Sequence, residues 1–196
     1  MLSNLSVVLI GYLLGSIPSA YIMGRLRKGI DIRKVGLGNM GAANVIREVG
    51  RWEGIVVWLV DVAKGVAAIL IAQALDVAQP WLLGAGFAAV LGHNFPVFLN
   101  FKGGIGSATV MGIFAIQTPR EMGIAFGIIA VSVLITRDAH KIALALGIGF
   151  TFLPLLIWLF QHSIVMVIYS LVLLIFIGIR SIPREHVKKA ILRFRK

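Results

Sequence analysis

Gly54-Ile-Val-Val-Trp58-Leu-Val-Asp61-Val-Ala-Lys64-Gly65-Val-Ala-Ala-Ile-Leu-Ile-Ala-Gln-Ala-Leu75 is a run of 22 residues with two ionisable side chains. As an α-helix it is about 33 Å long, enough to cross the ~30 Å hydrocarbon core of a bilayer. Asp61 and Lys64 are three residues apart, so on a helix they share a face and can pair. They lie roughly 10 to 15 Å in from Gly54, where an unpaired ion costs several kcal/mol, which directs both toward the interior of a bundle. Two readings of the pair stay open. It is a structural lock between helices, or Lys64 contacts an anionic substrate with Asp61 positioning it.

Six further apolar stretches flank this one, at 5–24, 81–99, 107–117, 122–136, 142–160 and 164–179. The chain of 196 residues is 59% hydrophobic and 14% charged, with mean hydropathy +0.95, which excludes a water-soluble globule. The fold expected is an all-α polytopic membrane bundle of seven spans, forming one domain over 1–196. The fourth stretch is short, about 17 Å, unless 104–106 belong to it. Residues 1–6 carry no Lys or Arg, so a cleavable signal peptide is not expected. Trp52, Trp58, Trp81 and Trp158 fall near span ends, as interfacial anchors do.

A net charge of +11 in a soluble chain would suggest nucleic acid, but its distribution points to a membrane instead. Seven Lys and Arg lie between spans one and two, one between three and four, two between five and six, and seven after span seven; the opposite connections hold one. The basic segments are therefore expected on the cytoplasmic side, with the N-terminus outside and the C-terminus inside. Nucleic acid is not expected as a partner. With no cysteine there is no disulfide, thiolate metal site or thiol nucleophile, and no His/Glu spacing suggests zinc.

Two glycine-rich segments face the same side in this topology. The first is Gly36-Leu-Gly38-Asn39-Met-Gly41-Ala-Ala-Asn44-Val-Ile-Arg47. Its G-x-G-x-x-G spacing is not a dinucleotide fingerprint, because no buried strand precedes it and Asp61, twenty residues on, lies in a membrane helix. The physics that remains is a glycine run leading into a short helix from about Asn39, whose free amides suit an anion, with Arg47 adding a forked donor. The second is Gly92-His93-Asn94-Phe-Pro96-Val-Phe-Leu-Asn-Phe-Lys102-Gly103-Gly104-Ile-Gly106-Ser107. Lys102 precedes the glycines, so it is no Walker loop, and Ser107 is placed to cap the next helix. His93 lies within a span, either as a helix-to-helix hydrogen bond or as a general base.

These residues resemble a known family, the bacterial acyl-phosphate-dependent glycerol-3-phosphate acyltransferases of the PlsY type. The likeness runs through Tyr12-Leu-Leu-Gly-Ser16-Ile-Pro, Gly38-Asn39-x-Gly41-Ala42-x-Asn44-x-x-Arg47, Asp61-x-x-Lys64-Gly65 and Gly92-His93-x-x-Pro96-Val-Phe-x-x-Phe-Lys102-Gly103-Gly104. The resemblance implies a seven-helix enzyme of the bacterial inner membrane, its active face cytoplasmic. It would move a fatty acyl group from acyl phosphate to the 1-hydroxyl of sn-glycerol 3-phosphate, giving lysophosphatidic acid and phosphate for phospholipid biosynthesis, without metal or organic cofactor. On this reading His93, Asn94 and Lys64 are catalytic. Gly38, Asn39, Asn44 and Arg47 hold one phosphate, Lys102, Gly103, Gly104 and Gly106 the other, and Asp61 positions Lys64.

The chain departs from the family pattern at Leu37, usually Ser, at Ala43, usually Thr, and at Ile105, usually Lys. In a third, C-terminal motif Pro183 stands at the His and His186 at the Asn, beside Arg184-Glu185, and Arg180, Arg184, Lys188 or Lys189 are available as substitute cations. A second reading is therefore a paralogue that binds acyl phosphate or phospholipid without turnover. A metabolite transporter is disfavoured, because the polar segments cluster at one face and no repeated halves are evident.

Overall fold

Pro18 has no amide to give the helix ladder, and it divides the first apolar run into α1 (Leu2–Ser16) and α2 (Ser19–Lys28). The computed structural model describes residues 2–135 and 151–181, and every regular element there is helical. After α2 come a 3-10 turn (Ile32–Lys34), α3 (Ala42–Glu48), α4 (Arg51–Ala74) and α5 (Gln79–Asn94). A second 3-10 turn (Val97–Leu99) leads to α6 (Ser107–Gln117) and α7 (Pro119–Ile135). Then follow α8 (Thr151–Gln161) and α9 (Ile164–Ser181).

Four helical segments are long and apolar enough to cross a membrane: Asn4–Lys28, Arg51–Ala74, Gln79–Leu99 and Ile164–Ser181. This is coarser than the seven spans expected. The fourth stretch forms α6, 11 residues long, which at 1.5 Å per residue is about half a hydrocarbon core. The fifth forms α7, with 17 residues, and the sixth is described only from Thr151. The C-terminal motif around Pro183, Arg184, Glu185 and His186 lies outside the described residues, as do Lys188 and Lys189.

Small residues bring the helices together. A Cβ at Gly11 or Gly15 of α1 would fall on the carbonyls of Ala85 or Ala89 of α5, and one at Gly65 of α4 would meet the Thr109 carbonyl of α6. Such close backbone approach is how helices associate where lipid removes the hydrophobic drive between them. Ile69, Val90, Ile113, Phe114, Leu153 and Leu173 then form a buried core shared by α4, α5, α6, α8 and α9. Leu9, Ile175 and Ile179 stand exposed on the outside, where lipid would cover them.

A second buried cluster, Ala20, Ile32, Met40, Val45 and Val57, clamps the first glycine segment onto α2 and α4. Here two local expectations are corrected. The short helix begins at Ala42, not at Asn39, because Gly38 takes a left-handed turn (φ +65°) and the Asn39 side chain accepts from the Gly41 amide at 3.2 Å, holding both outside the helix. At α6 the cap is Gly106, left-handed at φ +94°, and Ser107 is the first helical residue with no side-chain capping bond.

Candidate active site

Asp61 is the node from which the site is built. Its Oδ1 accepts from Lys64 Nζ at 2.6 Å and from the Ser19 hydroxyl at 2.6 Å, so α4 and α2 are joined through one carboxylate oxygen. Pro18 makes this possible by restarting the helix so that Ser19 turns inward. The same oxygen lies 3.7 Å from Nδ1 of His93, which is also 3.4 Å from the Thr109 hydroxyl of α6. Asp61, Lys64, His93 and Thr109 are all buried. Burial of this kind is sustained only by mutual pairing.

The other edge of the imidazole faces the second glycine segment. A Cβ at Gly104 would fall on His93 Nε2 and would stand 3.0 Å from the Met40 carbonyl of the first segment. The two segments therefore meet at Gly104, on one end of the bundle and directly against His93. Further straps hold them there: Arg33 donates to the Leu99 carbonyl at 3.4 Å, and Tyr12 donates to the Phe95 carbonyl at 2.8 Å.

Many of the glycine amides are already committed. Gly103 donates to the Asn94 carbonyl and Gly104 to the His93 carbonyl, each at 3.1 Å, while Gly38 donates to the Val35 carbonyl at 3.0 Å. The amides of Gly38, Gly103 and Gly104, expected to hold phosphate, thus have backbone partners within their own loops. Among the described residues, the amides of this segment without a backbone partner include Gly106 and the first turn of α6, at Ser107, Ala108 and Thr109, which precede the first intrahelical bond, Val110 to Gly106. Gly103, Gly104 and Gly106 shape the approach to them.

Asn44 is likewise a builder of the loop. Its carboxamide nitrogen donates to the carbonyls of Ile32, Val35 and Asn39, and its oxygen accepts from the Leu37 amide at 2.8 Å. Asn44, expected as a phosphate contact, has its side chain engaged in holding the loop that carries Asn39. Arg47 is 66% exposed beside Glu48 at 3.2 Å, and Lys102 is exposed, so both cations stand at the mouth and not in the buried cluster. Outside the spans, the hydrogen bonds from Arg33 hold the Asp31 carboxyl down at about 2. Asp31 in turn raises Arg33, fixing a cation beside the Leu99 carbonyl.

Asn94 is fully buried, and neither end of its carboxamide has a hydrogen-bond partner among the described residues. Its backbone carbonyl and that of Gly104 both accept from Arg180 Nη2, each at 3.3 Å, and the guanidinium stacks over Phe95 at 4.8 Å. Arg180 thus brings the end of α9 to the second segment. Ser19 and Thr109 were missed from sequence; a hydroxyl inside an apolar span was the available signal, but nothing local ties either to Asp61 or His93.

Helices that bury a Lys–Asp–His cluster beneath two converging glycine segments define an integral membrane protein with a polar site at one end of its bundle. The chain matches the glycerol-3-phosphate acyltransferase family over residues 5–188, and it belongs to that family. It is 42% identical over 181 residues to glycerol-3-phosphate acyltransferase 1 of Dehalococcoides mccartyi, covering 89% of this chain and 86% of that one. With the glycerol-3-phosphate acyltransferase of Geobacter sulfurreducens it shares 35% identity over 189 residues, 96% and 94% of the two chains. The crystal structure of PlsY (YgiH), an integral membrane glycerol 3-phosphate acyltransferase, in its glycerol 3-phosphate form superposes with a TM-score of 0.82 at 32% identity, over 97% of this chain and 92% of that one. Its lysophosphatidic acid form gives 0.79.

Proposed function

We propose that this protein transfers a fatty acyl group from acyl phosphate to the 1-hydroxyl of sn-glycerol 3-phosphate, releasing lysophosphatidic acid and phosphate. Family membership supports the reaction. The observation that carries the site is the meeting of the two glycine segments at Gly104 against His93. Both substrates carry phosphate, and two loops at one end of a bundle can present two anions to one reacting pair.

In this reading the acceptor hydroxyl oxygen bonds to the acyl carbonyl carbon and the carbon–oxygen bond to phosphate breaks. His93 Nε2 takes the hydroxyl proton, with Asp61 and Thr109 orienting Nδ1, and returns it to the departing phosphate. The Asn94 carboxamide donates to the oxyanion that forms on the acyl carbon. Lys64 holds the charge of Asp61 in place. The first turn of α6 and Lys102 receive one phosphate, the Asn39 segment and Arg47 the other.

The same proposal includes seven spans, an outside N-terminus, and a reaction at the cytoplasmic face of a bacterial inner membrane, supported by the lysine and arginine asymmetry. The test is phosphate release from palmitoyl phosphate by purified protein in bilayers, dependent on glycerol 3-phosphate. Binding of palmitoyl phosphate without release, under conditions where the Geobacter relative turns over, would favour the non-catalytic reading instead.

A further inference from the structure

Tyr21 of α2 carries two guanidinium groups. Arg25 Cζ lies 5.3 Å and Arg33 Cζ 5.1 Å from the centre of its ring, within the range at which a cation is drawn to an aromatic face. The acids nearby balance only one of the two. Both carboxylate oxygens of Asp31 are held by the fork of Arg33, at 2.9 and 2.8 Å, and Glu53 is taken by Arg27 at 2.9 Å. Arg25 has no ion-pair partner among the described residues, and Asp31 acts on it only through space. It is nevertheless held in place, since Nε donates to the Tyr21 hydroxyl at 3.2 Å and Nη1 to the Gly29 carbonyl at 3.1 Å. Its Nη2 and the Tyr21 phenolic proton have no acceptor among the described residues. Two donors and one uncompensated charge are thus presented side by side.

The place of this pair in the chain says what fills it. The first segment long and apolar enough to cross the membrane ends at Lys28, so Arg25 stands about 4.5 Å, less than one helical turn, short of that end. This puts it at the level of the headgroup layer, which is about 5 to 7 Å thick on each side of the hydrocarbon. Leu13, Ile17 and Ile22 lead up to it along the same segment and are 40 to 42% exposed, on the outside where lipid tails lie. We infer that Tyr21 and Arg25 bind the phosphodiester of an anionic phospholipid, Arg25 Nη2 and the Tyr21 hydroxyl donating to its oxygens while its acyl chains lie against Ile17 and Ile22. A charged acceptor makes both hydrogen bonds stronger than water does. Arg33, bound to Asp31 and to the Leu99 carbonyl, holds the ring and joins the lipid site to the second glycine segment. None of these residues is among those proposed to hold the substrate phosphates, so the site is a separate one.

The experiment follows the thermal midpoint of the full chain in dodecyl maltoside as dioleoylphosphatidylglycerol, dioleoylphosphatidylcholine or inorganic phosphate is added. Phosphatidylglycerol is expected to raise the midpoint saturably, as a ligand of the folded state does, and the other two are not. Arg25→Gln should weaken the apparent Kd for phosphatidylglycerol about fivefold, the share of one basic residue at an anionic lipid surface. Arg25→Lys keeps the charge but loses the fork, and Tyr21→Phe loses the hydroxyl, so each should weaken it too. Arg51→Gln, an exposed arginine at the start of α4, should leave it unchanged. Arg25→Lys binding as tightly as wild type, or Arg51→Gln losing as much as Arg25→Gln, overturns the inference in favour of diffuse attraction. An equal midpoint rise with inorganic phosphate overturns it in favour of a free-anion site. Loss of the phosphatidylglycerol effect in saturating glycerol 3-phosphate overturns it by placing the lipid in the candidate active site. No arm depends on acyl transfer, so failure here and failure of the proposed reaction are read separately.

Discussion

Lys64 and Asp61 form an ion pair at 2.6 Å one turn apart on α4, with their side chains 4% and 2% exposed. The same carboxylate oxygen is shared with Ser19 and lies within reach of His93, so three helices depend on a single charge. Removing the ammonium leaves that charge buried against one hydroxyl.

Lys64→Met should therefore destabilise the protein by about 3 to 5 kcal/mol, the usual cost of stranding one partner of a buried pair. The double variant Asp61→Asn/Lys64→Met should recover much of that stability and none of the activity. Thermal unfolding in detergent and phosphate release measure the two readouts separately. A double variant as unstable as Lys64→Met would remove the charge argument.

Gly104→Ala places a methyl on the imidazole of His93. Acyl transfer should fall by about a hundredfold, within the range that positioned proton transfer contributes. In a His93→Ala background the added methyl should have little further effect, because the ring it displaces is gone. A full additional loss there would show that Gly104 acts through something else.

Asn44→Ala withdraws the side chain that ties Leu37 to Ile32, Val35 and Asn39. Several buried backbone groups lose their partner together, at a cost of about 2 to 4 kcal/mol. Asn44→Asp keeps the acceptor for Leu37 and loses the donors, so it should behave closer to Ala than to wild type. Protease susceptibility of the 36–44 segment and the thermal midpoint check this.

Arg47→Ala and Lys102→Ala should leave the thermal midpoint nearly unchanged, since exposed ion pairs and cations contribute about 0 to 1 kcal/mol. Each should raise KM for a phosphate-bearing substrate at low salt, with the difference shrinking as salt is added. Unchanged kinetics in both variants would remove these two cations from the site.

Asp31 has its carboxyl lowered from 3.8 to about 2 by its hydrogen bonds with Arg33. A depressed carboxylate stabilises the fold above its unfolded pKa and stops doing so as pH falls through the folded one. Wild type should thus exceed Asp31→Asn in stability at neutral pH, with the gap closing between pH 3.8 and about 2. A gap that is constant across this window would show that the lost contact is not ionic.

Local pattern carried a good deal of this structure. The apolar run at 54–75 is α4 to within a few residues, and the three-residue spacing of Asp61 and Lys64 does produce their contact. What spacing could not reveal was which oxygen Ser19 would find, because that depends on where Pro18 restarts the helix and on how closely α1 lies against α5. Nor could it reveal that the amides of Gly38, Gly103 and Gly104 are spent inside their own loops: glycine spacing reports freedom to turn, and only the folded backbone shows where each N–H points.

The chain alone determined a membrane-embedded helical protein with two basic, glycine-rich segments, because apolar run length and charge asymmetry act through lipid and need no tertiary partner. Only the packed molecule decided that these segments meet at Gly104, that Asn44 serves the loop, and that Arg180 reaches Asn94 from 86 positions further along the sequence. Those relations follow from helix faces brought together through glycine, and the partner of a face is not written in the face itself.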